Sequence, residues 1–227
     1  MAQTTAVGII KKLKEKSNPR AVEGMTRYGI NPKNTLGVQI PILRQTAREA
    51  GKNHMLAQQL WNTGIHEARI LAGMVDEPEK VTERQMERWV IEIDSWDICD
   101  QLCSNLLDKT KYARKKAIEW SSRKEEFVKR AGFTMMACLS VHDKKRIDDE
   151  FEPFLNAIKK EADDERNYVK KAVNWALRQI GKRNKKLNKK AIQTAMKIQK
   201  LPSKSARWIA ADAIRELKNE KVRKRIG

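Results

Sequence analysis

The chain has 227 residues, of which 48 are Lys or Arg and 29 are Asp or Glu, so its net charge is +19. A hydrophobic content of 40% supports a folded core and excludes a wholly disordered chain. The positive excess predicts an acidic partner or surface. No apolar run approaches the ~20 residues of a membrane span, and the N-terminus has no charged-then-apolar signal pattern. We therefore expect a cytoplasmic protein that does not bind membranes.

The helical period of apolar residues continues along almost the whole chain, and no convincing strand alternation interrupts it. Asn18 before Pro19 and Thr82 before Glu83 are typical helix starts, and Asp94 or Ser95 can cap a helix that opens at residue 96. The pattern predicts helices over residues 4–16, 19–28, 41–50, 53–61, 65–75, 83–93, 96–107, 113–121, 124–139, 147–161, 167–181, 187–199 and 203–219. The basic residues 218–225 are expected to form a frayed tail.

Short helices with short connections predict an all-α fold of HEAT-like repeats, an α-solenoid with a concave basic groove. Helix pairs recur about every 40 residues, and no linker rich in Gly, Ser or Pro divides the chain. We therefore expect one domain over residues 1–227. A compact helical bundle is the competing architecture.

Trp175 lies off the apolar stripe of its predicted helix. At ~100° per residue it points roughly 130° away from the stripe centre, and its neighbours one and two turns away are Lys171, Arg178 and Lys182. An aromatic ring among cations suits a nucleic acid. The alternative is a second packing face whose cations are merely solvated.

Two other predicted helices carry residues off the core face. Trp96 and Asp100 lie one turn apart at the edge of the stripe in 96–107, and Arg130 points nearly opposite the stripe in 124–139. The gaps from Asp100 to Arg130 and from Arg130 to Trp175 are each about one repeat, so we expect these four side chains to meet in one groove. Alternatively, Asp100 and Arg130 are a surface charge pair and Trp96 is an ordinary core residue.

Several segments, in their order and spacing, resemble motifs of the bacterial DNA alkylation repair glycosylases built from HEAT-like repeats. They are RY at 27–28, LGVQIP at 36–41, SWDICD at 95–100, VKRA at 128–131 and VKKAVNWALR at 169–178. The resemblance covers nearly the whole chain. It implies an active cleft of Trp96, Asp100, Arg130 and Trp175. Ser95 stands where the best-studied members carry a second Trp, a departure that bears on substrate range.

The chemistry implied by the resemblance is hydrolysis of the N-glycosidic bond of purines alkylated at N3 or N7. Such a base is already cationic and leaves readily, so the sugar cation needs stabilising more than the base needs an acid. Asp100 would supply that charge and could orient the attacking water. Trp96 and Trp175 would pack against sugar and backbone, and Arg130 would hold a phosphate and help keep Asp100 ionised.

Further positions are predicted to contact duplex DNA. One of them is Tyr28, from the RY motif at 27–28. The others are five basic residues in and after the helix of Trp175: Lys171, Arg178, Lys182, Arg183 and Lys185. The alternative for the basic run is a solvated connection between helices.

No metal or organic cofactor is implied. His54, His66 and His142 are scattered without ligand spacing, and an odd number of cysteines, three, fits reduced thiols.

The sequence thus predicts a monomeric DNA-alkylpurine glycosylase that acts on duplex DNA with alkylated purines in base excision repair. Two alternatives come from other classes of protein. One is a non-catalytic solenoid that binds nucleic acid through the same basic face, and the other is a scaffold for an acidic protein partner.

Overall fold

The computed structural model describes residues 5–226, and within that range it is helical without strands, which confirms the all-α prediction. Thr4, the first residue of the first predicted helix, lies outside the described residues, as do Met1 and Gly227 at the ends of the predicted domain. No helix among the described residues is long and apolar enough to cross a membrane. The helices are α1 (Ala6–Glu15), α2 (Pro19–Arg27), α3 (Ile40–Ala50), α4 (His54–Asn62), α5 (His66–Val75), α6 (Glu83–Ile91), α7 (Trp96–Asn105), α8 (Ala113–Ser121), α9 (Glu126–His142), α10 (Glu152–Lys160), α11 (Asn167–Gly181), α12 (Lys185–Ile198), α13 (Lys204–Leu217) and α14 (Glu220–Arg225).

Local capping explains two of the helix starts that the sequence signals predicted. The side chain of Asn18 accepts from the Ala21 N–H ahead of α2, and Thr82 accepts from the Gln85 N–H ahead of α6. Ser95 is an exception, because it precedes α7 but its hydroxyl makes no capping bond. Each of these signals lies within four residues of the helix it starts, which is why the sequence could show it.

The C-terminal segment is not the frayed tail that its composition predicted. Residues Glu220–Arg225 form α14, and the side chain of Asn219 accepts from the Lys221 N–H at its start. Glu220 in the first turn and three basic residues in the last turn both complement the helix dipole. The prediction was wrong because Lys and Arg are good helix formers, and a capped start and a complemented dipole allow this short basic segment to be helical.

The chain divides into two compact units, the first ending at Lys111 and the second beginning at Tyr112. In the first unit, α5 packs against α3, α4 and α7. Its core includes a parallel stack of Trp61 and Trp89, with ring centroids 4.2 Å apart and both side chains fully buried. Tight packing around α5 positions the start of α7, where two of the predicted site residues lie.

In the second unit, α9 packs between α8 and α11. Gly132 allows the close approach of α8, since a Cβ there would stand 2.5 Å from the Ser121 nitrogen and 2.9 Å from the Ala117 oxygen. Packing on two sides explains why α9 is buried around its whole circumference from Val128 to Ser140.

A register of 38 residues relates alternate helices of the second unit, α9, α11 and α13. Arg130 of α9 bonds to Tyr168 of α11, and Asn174 and Arg178 of α11 bond to Asp212 and Glu216 of α13, each across a separation of 38. Two such links along α11 and α13 require these helices to run parallel. The period agrees with the repeat of about 40 residues predicted from helix and loop lengths.

Candidate DNA-binding and catalytic site

Trp96 is the first residue of α7, and its side chain is fixed at the end of α2. The indole Nε1–H donates to the carbonyl oxygen of Tyr28 at 3.0 Å. Ser95 and Asp94 hold the same segment: the Ser95 hydroxyl accepts from the Asn31 N–H at 3.0 Å, and an Asp94 oxygen accepts from the Asn31 amide at 2.6 Å. Hence Ser95 positions the connection after α2 instead of capping α7.

Asp100 lies one turn beyond Trp96 on α7, and both side chains are half-buried. The alternative that Trp96 is an ordinary core residue therefore does not describe this indole, which retains solvent access and an anchored N–H. Tyr28, whose backbone provides the anchor, is 75% exposed and able to contact a ligand.

The first turn of α7 is also held by a buried residue of α5. His66 of α5 is buried, and its Nε2 lies 2.8 Å from Oδ2 of Asp97. Burial alone would lower the pKa of His66, but the hydrogen bond and the charge of Asp97 outweigh it and raise the pKa above the ordinary value. An ion pair thus holds the turn that separates Trp96 from Asp100.

Glu67 is a buried acid that the sequence analysis did not single out. Its carboxylate accepts from the backbone N–H groups of Leu36, Gly37 and Val38, at 2.6 to 3.2 Å. Gly37 has φ +76°, and a Cβ there would lie 2.3 Å from the Asn18 oxygen. The available signal was an acid among the buried positions of α5, next to a motif containing glycine. Glu67 therefore holds the segment that follows Tyr28.

Arg130 is only 5% exposed, so the alternative that it is a surface residue is wrong. Its Nη1–H donates to the Tyr168 carbonyl at 2.6 Å. The helical period placed it opposite the apolar stripe correctly, but that face of α9 packs on α11 instead of facing water. The guanidinium is consequently oriented by the first turn of α11.

Trp175 lies on α11, half-buried, and the neighbouring Lys171 is exposed. Within residues 5–226, the Trp175 indole N–H has no hydrogen-bond partner and Lys171 has no ion pair. A large ring with an available donor beside a free ammonium retains the features that suggested a nucleic-acid contact.

The cations farther along α11 are already compensated. Nη1 of Arg178 forms ion pairs with Glu216 and, at 3.5 Å, with Asp212; Nζ of Lys182 lies 2.7 Å from Oε1 of Glu216. Burial raises the pKa of Glu216, but its contacts with Lys182 and Arg178 outweigh this and lower it overall. The row of cations seen in the sequence is therefore partly neutralised by α13.

Arg183 and Lys185, both predicted DNA contacts, differ in their surroundings. Arg183 donates to the carbonyl oxygens of Ser140 at 2.6 Å and Asp143 at 3.0 Å, and its guanidinium lies 4.3 Å from the centroid of the Phe151 ring. Lys185 is exposed at the start of α12 and makes no ion pair with any described residue. The structure thus gives Arg183 a role within the fold and leaves Lys185 open to a ligand.

Trp208 of α13 is a candidate contact that the sequence analysis missed. It is 42% exposed, and Nζ of Lys170 lies 5.3 Å from its ring centroid. The signal was present: at ~100° per residue, Trp208 lies about 140° from the centre of the α13 stripe, much like Trp175 on α11.

Among residues 5–226, no three His, Cys, Asp or Glu side chains are grouped so that they could hold a metal ion. Cys99, Cys103 and Cys138 are buried, and none of them is in a disulfide. The candidate positions carry one carboxylate, several cations, two indoles and the phenol of Tyr28.

A family model described as DNA alkylation repair enzyme matches residues 9–217. The chain belongs to this family. One solved structure has 19% sequence identity and a TM-score of 0.75, and the match covers 93% of this chain and 95% of that one; it is described as a new family of proteins related to the HEAT-like repeat DNA glycosylases with affinity for branched DNA structures. A designed armadillo repeat protein has 15% identity and a TM-score of 0.38, with coverage of 77% and 91%. No curated protein sequence matches the chain.

The family match confirms the resemblance that the motifs indicated, and the fold confirms the predicted HEAT-like repeats. In this member of the DNA alkylation repair family, Trp96 and Asp100 belong to the first unit, and Arg130 and Trp175 belong to the second. Their convergence in one groove remains a prediction.

Proposed function

We propose that this member of the DNA alkylation repair family is a DNA glycosylase that hydrolyses the N-glycosidic bond of purines carrying an alkyl group at N3 or N7. The observation that carries the proposal is the pair on α7: a half-buried indole anchored to Tyr28, with a half-buried carboxylate one turn away. His66 fixes the turn between them. A carboxylate repels phosphates, so it does not favour binding to the DNA backbone. It does stabilise a sugar cation.

The proposed roles follow from the chemistry of the substrate. The alkylated base leaves as a neutral molecule while the sugar develops oxocarbenium character. Asp100 stabilises that charge and orients the attacking water, and Trp96 and Trp175 offer ring faces to the cationic sugar. Arg130, whose guanidinium is oriented by Tyr168, holds a backbone phosphate of the strand that carries the lesion.

In the proposed complex, the protein is a monomer bound to duplex DNA. Residues 1–227 act as one domain, and the four proposed catalytic residues line one concave groove. Tyr28, Lys171 and Lys185 contribute exposed contacts, and Arg178 and Lys182 contribute charge that Glu216 reduces. Arg183 acts by holding the end of α9. No cofactor takes part, and buried cysteines outside disulfides suit a reducing cytoplasm.

The direct test is release of methylated bases from a methylated duplex by the purified protein in single turnover. We expect release of 7-methylguanine or 3-methyladenine, and none from the same duplex before methylation. The absence of release of either base under enzyme excess would contradict the glycosylase proposal.

A second candidate is a non-catalytic protein that binds branched DNA. It is favoured by the structural neighbour described as having affinity for branched DNA, whose fold this chain shares over 93% of its length. Binding to a four-way DNA junction distinguishes the two candidates. A branched-DNA binder prefers the junction to a linear duplex of equal length and releases no base, whereas the glycosylase is directed by the lesion.

A further inference from the structure

A polar cavity in the second unit lies apart from Arg130 and Trp175, although its lining includes Lys182 and Arg183, two of the predicted DNA contacts. It has a volume of about 260 Å³ and is bounded by the ends of α9 and α11, the connection after α9, the start of α12 and the last turn of α14. Its charged lining consists of Lys144, Arg146, Asp148, Lys182, Arg183 and Arg225. Five cations thus face one carboxylate.

Neighbouring acids compensate only some of this charge. Arg146 pairs with Asp143 at 3.0 Å and Glu150 at 3.3 Å, and Lys182 pairs with Glu216. Lys144 and Arg225 are exposed and have no ion pair with any residue between 5 and 226. Two full positive charges therefore remain available at the cavity.

Arg183 makes the wall of the cavity more favourable to an anion. The ends of α9 and α11 would otherwise present carbonyl oxygens, which repel an anion. Arg183 instead covers α9 by donating to the Ser140 and Asp143 carbonyls, while its Nε is buried without a hydrogen-bond partner. The start of α12 at Asn184 adds a helix N-terminus to the same wall.

The single carboxylate in the lining is already hydrogen-bonded. Oδ1 of Asp148 accepts from the amide of Asn184 at 2.8 Å. The lining residues include no aromatic side chain that could stack on a base. The cavity therefore suits a compact anion with several acceptor oxygens and no ring.

We propose that this cavity binds a phosphate group. A phosphate group, whether a strand phosphodiester or inorganic phosphate, carries negative charge and strong acceptor oxygens, which match the ammonium of Lys144 and the forked guanidinium donors of Arg225. Its source is either a nucleic-acid strand or free phosphate. The inference goes beyond the proposed glycosylase function and does not depend on it.

The test is a titration of the isotope-labelled full chain with inorganic phosphate, at ionic strength held constant with sodium chloride. We expect saturable shifts of the amide signals of Val141 and Asn184, both at the cavity. The variant Lys144→Ala with Arg225→Ala should weaken phosphate binding at least tenfold. A matched control, Lys197→Ala with Lys200→Ala, removes the same charge from exposed positions on α12 and beyond it, and should bind as the wild type does.

A second variant should change the affinity for phosphate in the opposite direction. Asp148→Asn removes the lining carboxylate but keeps an oxygen for Asn184, so phosphate should bind more tightly. A short undamaged duplex added to the phosphate complex then identifies the source. Displacement of phosphate indicates a strand phosphate, and coexistence indicates free phosphate.

Absence of saturable shifts, or equal weakening by the control pair, overturns the proposal. Because the titration contains neither DNA nor a lesion, this result is distinct from a failure of base release.

Discussion

The indole N–H of Trp96 donates to the backbone carbonyl of Tyr28 across 3.0 Å, and this bond joins the start of α7 to the end of α2. Both residues were expected to contact DNA, but nothing in the sequence indicated that they contact each other, since 68 residues separate them. The bond fixes the plane of the ring that precedes Asp100 by one turn. Removing the N–H while keeping an aromatic ring tests this anchor.

Trp96→Phe should lower the free energy of unfolding by about 0.5–1.5 kcal/mol, the net contribution of one hydrogen bond. Urea unfolding of both proteins measures the difference. Trp208→Phe makes the same chemical change at a half-exposed indole without a hydrogen-bond partner among the described residues, and it should have a smaller effect. Equal losses in the two variants would show that the Tyr28 bond contributes nothing.

Asp100→Asn should reduce single-turnover excision of 7-methylguanine by ~10²–10³, because it removes a preorganised charge at the sugar cation but preserves the shape of the side chain. DNA affinity should stay the same or rise, since a negative charge near phosphates is lost. Asp163→Asn removes an exposed acid that has no partner among the described residues and should excise as the wild type does. Normal excision by Asp100→Asn would rule out the proposed role of Asp100.

Trp175→Ala should weaken DNA binding and excision together. Its ring contacts the bound strand in the ground state and the transition state alike, so no selective loss of the chemical step is expected. Affinity and excision are measured on the same methylated duplex. A loss confined to excision would assign Trp175 to the transition state alone.

Glu216→Gln should strengthen DNA binding at low salt. Glu216 pairs with Arg178 and Lys182, so losing its charge leaves Arg178 with Asp212 alone and frees Lys182 to displace counterions from the duplex. The slope of log K against log salt should steepen by up to ~0.9 for each added phosphate contact. Glu220→Gln makes the same charge change at an exposed acid and should alter the slope less. A slope unchanged in Glu216→Gln would mean that these cations do not face the DNA.

The stability of the first unit should depend on pH through His66. Its pKa is raised by Asp97 against the opposing effect of burial, so the ion pair contributes fully below the unfolded value of about 6.5 and is lost as pH rises through the higher folded value. Urea unfolding between about pH 5.5 and pH 8.5 follows this loss. His66→Gln should flatten the change, and an equally steep dependence in that variant would contradict the assignment.

Gly132→Ala should destabilise the second unit by about 1–3 kcal/mol, the typical effect of overpacking. Its Cβ would stand 2.5 Å from the Ser121 nitrogen, so α8 and α9 must separate. Gly24→Ala, in α2 where nothing lies within 4 Å, should instead stabilise by about 0.5–1 kcal/mol. Thermal unfolding of the two variants should shift in opposite directions.

The sequence by itself determined the helical class, the approximate repeat and the off-stripe positions. Helix starts at Asn18 and Thr82 are local hydrogen bonds, and apolar spacing follows from the helical period, so both are visible in a short window. Trp175 was found in this way, and the same reasoning would have found Trp208.

Only the tertiary structure decided which outward residues meet a partner. The helical period places Arg130 opposite its stripe and Arg178 on the outer face of α11, but it carries no information about the helix 38 residues away that packs against them. Tyr168 orients the first, and Glu216 neutralises the second. The physical reason is that periodicity fixes the direction of a side chain on its own helix, whereas charge compensation and burial depend on a neighbour brought near by folding.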